Sequence, residues 1–148
     1  MARRIFNGLE VEIPEGWRDY SSIVLAPQED ATTGQLPTIN LVVKRRPASG
    51  REGGTLVSTY LDYLARSFGP LQSLETKEVD HGPARATAVR FRAEHEGRAF
   101  QQTTLLYRFG EDEIAATVTQ SDGDPTSTKE VEKLLHSVRP VAGPRRRS

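Results

Sequence analysis

The chain contains no cysteine. Disulfides, thiolate nucleophiles and cysteine-ligated zinc centres are therefore excluded. A lipoprotein-type anchor, which needs an N-terminal cysteine, is not expected either. The lack of cysteine fits a reducing compartment. No run approaches the ~20 apolar residues of a membrane-spanning helix, so no span is expected. Arg3 and Arg4 open the chain, but no apolar core of a signal peptide follows, because Glu10, Glu12 and Glu15 come too soon. Excess charge is also missing: 20 basic residues meet 20 acidic ones. Five arginines lie at the two ends, Arg3, Arg4, Arg145, Arg146 and Arg147, and without them the body carries five net negative charges. An acidic body argues against a nucleic-acid surface. Methionine and tryptophan occur once each, and aromatic residues make up 7% of the chain.

Motifs of catalysis are as scarce. His81, His95 and His136 are isolated from one another in sequence, and no metal-ligand spacing joins them. Gly50-Arg51-Glu52-Gly53-Gly54 precedes a helical stretch but lacks the Lys-Ser/Thr pair of a phosphate loop. No G-x-S-x-G elbow is present. Carboxylates are scattered, and Asp19, near Trp17, reads as a turn acceptor. The expectation is a protein with no metal and no cofactor that is not an enzyme.

What is present is strong patterning over 148 residues, enough for one domain that needs no staple. Period-two alternation or apolar β-branched runs predict strands at Gly8–Ile13, Ser21–Ala26 and Pro37–Arg45. A polar loop, Gln28 to Gln35, separates the last two. Leu56, Val57, Tyr60, Leu61, Leu64 and Phe68 make one helical stripe, predicting a helix over Thr55–Phe68 with Thr55 as its cap. Gly69-Pro70 ends it. Three or four further strands follow, a weakly patterned one at Gln72–Val79 and others at Ala84–Glu94, Arg98–Phe109 and Glu113–Gln120, joined by short turns such as Glu96-Gly97. Ser127 and Glu130 form a capping box ahead of a second stripe, Val131, Leu134, Leu135 and Val138. The order β-β-β-α-β-β-β-β-α predicts an α+β fold, an antiparallel sheet with two flanking helices, in a single domain over residues 1–142. Residues 143–148 read as a disordered Arg-rich tail. Two helices are expected to cover one face of the sheet and leave the other open.

One stretch departs from a plain core. Ala99 to Tyr107 carries Gln101, Gln102, Thr103 and Thr104 in mid-strand, and Thr38, Asn40 and Val42 mix polar and apolar groups in the same way. Such a face is either solvated or a semi-polar groove for an apolar ligand. The candidate partner-binding residues are Gln102 and Thr104, with Asn40 and Val42 beside them and Ile23 and Leu25 as an apolar floor.

Phe6, then Leu9-Glu10-Val11-Glu12-Ile13-Pro14, Gly16-Trp17, Asp19 and Ser21 resemble the opening of the DcrB-like family. That family includes the Eag-type chaperones of bacterial type VI secretion and shares the PsbP-like fold. Lys44-Arg45 at a strand end, Gly82-Pro83-Ala84, Arg98-Ala99-Phe100-Gln101-Gln102 and Leu134-Leu135 with Ser137-Val138 extend the resemblance over most of the chain. Ile23, the Gln28–Gln35 loop and the arginine tail depart from it. The resemblance implies a PsbP-like sandwich and a cytoplasmic homodimer. It implies a chaperone that cradles the hydrophobic transmembrane segment of a secreted effector, without entering the membrane itself. Gln102 or Gln101 matches the glutamine expected to line that cradle. The alternative is an interaction module of the same fold with an unrelated protein partner.

Overall fold

The computed structural model describes residues 2–6, 9–16, 22–27, 38–47 and 53–140. Eight strands and two helices follow in the order β1 (Ala2–Phe6), β2 (Leu9–Ile13), β3 (Ser22–Leu25), β4 (Ile39–Pro47), α1 (Gly53–Phe68), β5 (Gln72–His81), β6 (Ala84–His95), β7 (Arg98–Phe109), β8 (Asp112–Ser121) and α2 (Thr128–His136). The fold class is α+β, as the patterning predicts. Strand β1 is an addition to it. It pairs antiparallel with β2 from Ala2 opposite Ile13 to Phe6 opposite Leu9. Its sequence, Ala-Arg-Arg-Ile-Phe, carries no alternation by which to be found.

The other six strands form one antiparallel sheet, ordered β3-β4-β8-β7-β6-β5. Strands β5 to β8 are a simple meander, because two-residue turns join them. At the β6–β7 turn both Glu96 and Gly97 take positive φ, 53° and 77°. That is the turn whose twist matches the strands it joins. Strand β4 then pairs along the free side of β8, from Ile39 opposite Gln120 to Pro47 opposite Asp112.

The helices do not share a face, contrary to the expectation of one covered and one open face. Cross-strand partners lie on the same side of a sheet, so the register sorts the residues. Helix α1 lays Leu56, Val57, Tyr60, Leu61, Leu64 and Phe68 on Val89, Phe91 and Ala93 of β6 and Phe100 and Leu106 of β7. Helix α2 packs Val131 and Leu135 on Leu41, Ala116 and Val118. Val118 stands opposite Thr103, and Thr103 alternates with Gln102 and Thr104. So α2 covers the reverse side, over β4 and β8. A third cluster, Ala86, Leu105, Tyr107 and Ile114, continues that side toward β5. Among the described residues each helix covers half of one face, and the two halves are diagonal to each other.

The helix ends follow sequence logic with one correction. Ser127 caps α2 and exchanges both capping-box hydrogen bonds with Glu130. Gly69 closes α1 at φ 69°, its N–H reaching Ala65 at 3.1 Å. The start of α1 lies at Gly53, two residues before Thr55, so Thr55 is inside the helix and not its cap.

The two sheet edges differ in kind. Strand β5 carries Glu75, Lys77, Glu78 and Asp80, and its pairing with β6 is interrupted between Gln72 and Glu75, where Ser73 has φ 52°. Charge and irregularity are how an edge resists pairing. Strand β3, Ser-Ile-Val-Leu, has neither, and Ile23, Val24 and Leu25 are 48%, 65% and 57% exposed.

Candidate functional site

The uncovered half of the α1 face is built by three rows of cross-strand neighbours. One row runs Phe91, Gln102, Thr119, Asn40 from β6 to β4. The next runs Val89, Thr104, Thr117, Val42, Val24 and reaches β3. The third runs Thr87, Leu106, Ala115, Lys44, Ser22. Along each row the β6 end packs under or beside α1. The β4 and β3 end meets no helix among the described residues. Phe91 and Val89 are fully buried, Gln102, Thr117, Thr119 and Val42 are half-buried, and Asn40 and Val24 are exposed.

Hydrogen bonds hold the polar members in place. Gln102 donates from Nε2 to Thr119 Oγ1 at 3.1 Å. Thr104 Oγ1 lies 2.8 Å from the Tyr60 hydroxyl and 2.9 Å from Thr117 Oγ1. Burial pushes the Tyr60 phenol above its ordinary pKa, against the pull of its hydrogen bonds to Thr104 and Thr117. The Tyr60 ring and hydroxyl thus form a wall between the core under α1 and the open half-face. Gln102 spends one N–H on Thr119, and an amide also offers a second N–H and a carbonyl. The surface is a mixed one of aliphatic, hydroxyl and amide groups, and it suits an apolar body with a few hydrogen-bonding groups.

Four of the six residues selected from sequence lie on this face: Asn40, Val42, Gln102 and Thr104. Thr104 is fully buried and belongs to the Tyr60–Thr117 network, so it supports the surface from below. Ile23 and Leu25 point to the opposite face, because Ile23 pairs with Val43 and Leu25 with Leu41. The aliphatic β3 residue on the same side as Gln102 is Val24, opposite Val42. Strand parity alone contains this signal, since Val24 alternates with Ile23 and Leu25. Tyr60, Thr117 and Thr119 were not chosen as site residues from sequence; the register of β7 against β8 brings in the two threonines, and the packing of α1 on β7 brings in Tyr60. Trp17, Asp19, the Gln28–Gln35 loop, Gly50-Arg51-Glu52 and the arginine tail lie outside the described residues.

Elsewhere, a cavity of about 610 Å³ opens between the start of α1 and β5 to β7, lined in part by Leu56, Val57, Thr87 and Leu106. Its Arg85 is engaged by Glu78 at 3.1 Å and Asp80 at 3.0 Å, which raise the arginine's pKa further. On the α2 side, Asp124 ties the chain before α2 to the sheet. It accepts from the Thr38 hydroxyl, from Gln120 Nε2 at 3.0 Å and from the Thr126 N–H at 3.1 Å. His81 and His136, isolated in sequence, meet in space with Nδ1 atoms 3.2 Å apart. The reading of three unconnected histidines is corrected at this pair. Among the described residues no three His, Asp or Glu side chains gather as a metal site, and no helix is long and apolar enough to cross a membrane.

No family model matches the chain, and no curated protein does. A solved structure does: PA94 of Pseudomonas aeruginosa, a protein of unknown function suggested to be a regulator. It superimposes with a TM-score of 0.75 over 97% of this chain and 99% of its own, at 16% sequence identity. At that identity the similarity is one of fold.

Proposed function

We propose that the chain is a non-enzymatic binding module that shelters an apolar segment of a partner protein on the open half of the α1 face. The observation that carries this reading is the row Gln102–Thr119–Asn40 beside Val42 and Val24. Mid-sheet positions are where a closed core is apolar, and here they combine aliphatic and hydrogen-bonding groups with no helix above them among the described residues. The DcrB-like resemblance gives the segment its class, the transmembrane helix of a type VI secretion effector, held by a cytoplasmic homodimer before export. The physical chemistry fits. A transmembrane helix in water exposes a large apolar surface that aggregates. Amide and hydroxyl groups on the sheet replace the interhelical hydrogen bonds it makes in a membrane. A second reading, a regulatory interaction module with a different protein partner, has behind it the description given to PA94, which is said of that protein.

A lysine-flanked synthetic peptide with about 20 apolar residues tests the first reading. The expected result is that the protein keeps it soluble, that Val42→Lys weakens binding at least tenfold, and that Leu25→Lys on the reverse face leaves it within about twofold. No binding, or equal loss in both variants, overturns the reading and favours the second.

A further inference from the structure

We propose that His81 and His136 form a two-imidazole site for a divalent transition-metal ion, zinc or copper by ligand type, at the junction of β5 and the end of α2. The site is independent of the sheet face described above. His81 is the last residue of β5 and is buried at 6% exposure, while His136 ends α2 and faces solvent. Their Nδ1 atoms are 3.2 Å apart and their ring centroids 5.2 Å apart. Two nitrogens each ~2.0–2.1 Å from one ion, at an angle near tetrahedral, are separated by ~3.2–3.4 Å. The pair already stands at that separation.

The second observation concerns how His81 is held. Its Nε2 lies 2.7 Å from the Val138 carbonyl oxygen. A carbonyl can only accept, so Nε2 carries the proton, and in the neutral ring Nδ1 presents its lone pair to His136. A ligating histidine commonly has its remote N–H donated to a carbonyl in this way, which fixes tautomer and ring orientation. Tyr107 braces the arrangement, with its ring 4.8 Å from that of His81 and its hydroxyl donating to the same Val138 carbonyl at 3.3 Å. Without a metal, the contact is a hydrogen bond donated by His136 Nδ1. On binding, that proton moves to Nε2 of the same exposed ring through solvent, and the pair releases no net proton. Among the described residues no third His, Asp or Glu joins the two, and water would fill the remaining positions of the coordination sphere. An all-imidazole donor set selects zinc, copper or nickel over magnesium or calcium. The ion would clamp the end of α2 to β5.

The test is calorimetric titration of the tag-free full chain with zinc chloride and copper sulfate at pH 7.5, with thermal unfolding in parallel. The expected result is one ion per chain, a rise in Tm of about 5 °C or more near saturation that a chelator reverses, and at least a tenfold weaker affinity in His136→Ala. His136 is exposed, so that variant folds, and circular dichroism of the metal-free variant checks it. The His95→Ala variant binds as the parent does. The proposal is overturned if neither metal binds, or if His136→Ala binds as tightly as the parent. Binding lost in His95→Ala overturns it equally.

Discussion

The Tyr60 hydroxyl on α1 sits 2.8 Å from Thr104 Oγ1 in the middle of β7, joining the helix to the sheet by a polar contact inside an apolar cluster. Tyr60→Phe removes it and is expected to cost about 0.5–1.5 kcal/mol in urea unfolding at pH 7. Thr104 keeps Thr117 as partner, which limits the loss. Burial raises the folded-state pKa of Tyr60, so the folded chain holds that proton more tightly than the unfolded one. The resulting stability is present below the unfolded value of about 10 and is lost as pH rises through the raised folded value. The phenylalanine variant lacks that alkaline decline, and unfolding series at about pH 9–11 read the difference.

Leu64→Ala and Leu135→Ala are each expected to cost about 2–5 kcal/mol, because both side chains are buried in separate clusters. The clusters lie on opposite faces of the sheet. The double variant should therefore lose the sum of the single losses to within about 0.5 kcal/mol. A larger coupling energy in a denaturation cycle would contradict the opposed placement of the helices.

Gln102→Ala and Gln101→Ala separate the two faces. Gln102 gives up its bond to Thr119, and Gln101 a longer one to Gln120 at 3.4 Å on the reverse side. Each is expected to lower stability by no more than about 1.5 kcal/mol. Gln102→Ala should weaken binding of the apolar peptide by about 1–3 kcal/mol, while Gln101→Ala leaves it unchanged. Fluorescence titration of both variants decides between the faces.

Asp124 gives an acid-side prediction. Burial works to raise its pKa, and the hydrogen bonds from Thr38, Gln120 and Thr126 outweigh it, so the net shift is downward. The folded chain therefore favours the carboxylate. That stability is present above the unfolded value of about 3.9 and is lost as pH falls through the lower folded value. Asp124→Asn should be less stable than the parent at pH 7, with the gap narrowing as pH falls below the unfolded value of about 3.9, as thermal unfolding across that range would record.

Much of this fold could be read from sequence because its elements carry their own punctuation. The Leu56-to-Phe68 stripe with Gly69-Pro70, and the Ser127–Glu130 box, mark both helices within two residues. The β5–β8 meander is written in its two-residue turns. Which face each helix covers was not legible, since a stripe says that a helix is buried and not on which side. The site shows the same division. Gln102, Asn40 and Val42 announce themselves as mid-strand polar or mixed positions. Ile23 and Leu25 were chosen for hydrophobicity when parity required Val24. The His81–His136 contact spans 55 positions and depends on α2 returning to the end of β5, which no local pattern encodes.

The unequal edges of the sheet set a stoichiometry. Strand β5 is guarded by charge and by an interrupted register, while β3 presents four uncharged residues. Indefinite stacking of sheets needs two receptive sides on every molecule, one to give and one to take. This sheet has one. Any strand that adds to β3, from another copy or another protein, occupies that edge of the six-stranded sheet and ends growth there. The six-stranded sheet can therefore present three exposed aliphatic side chains on β3 while its other edge, β5, resists extending a stack.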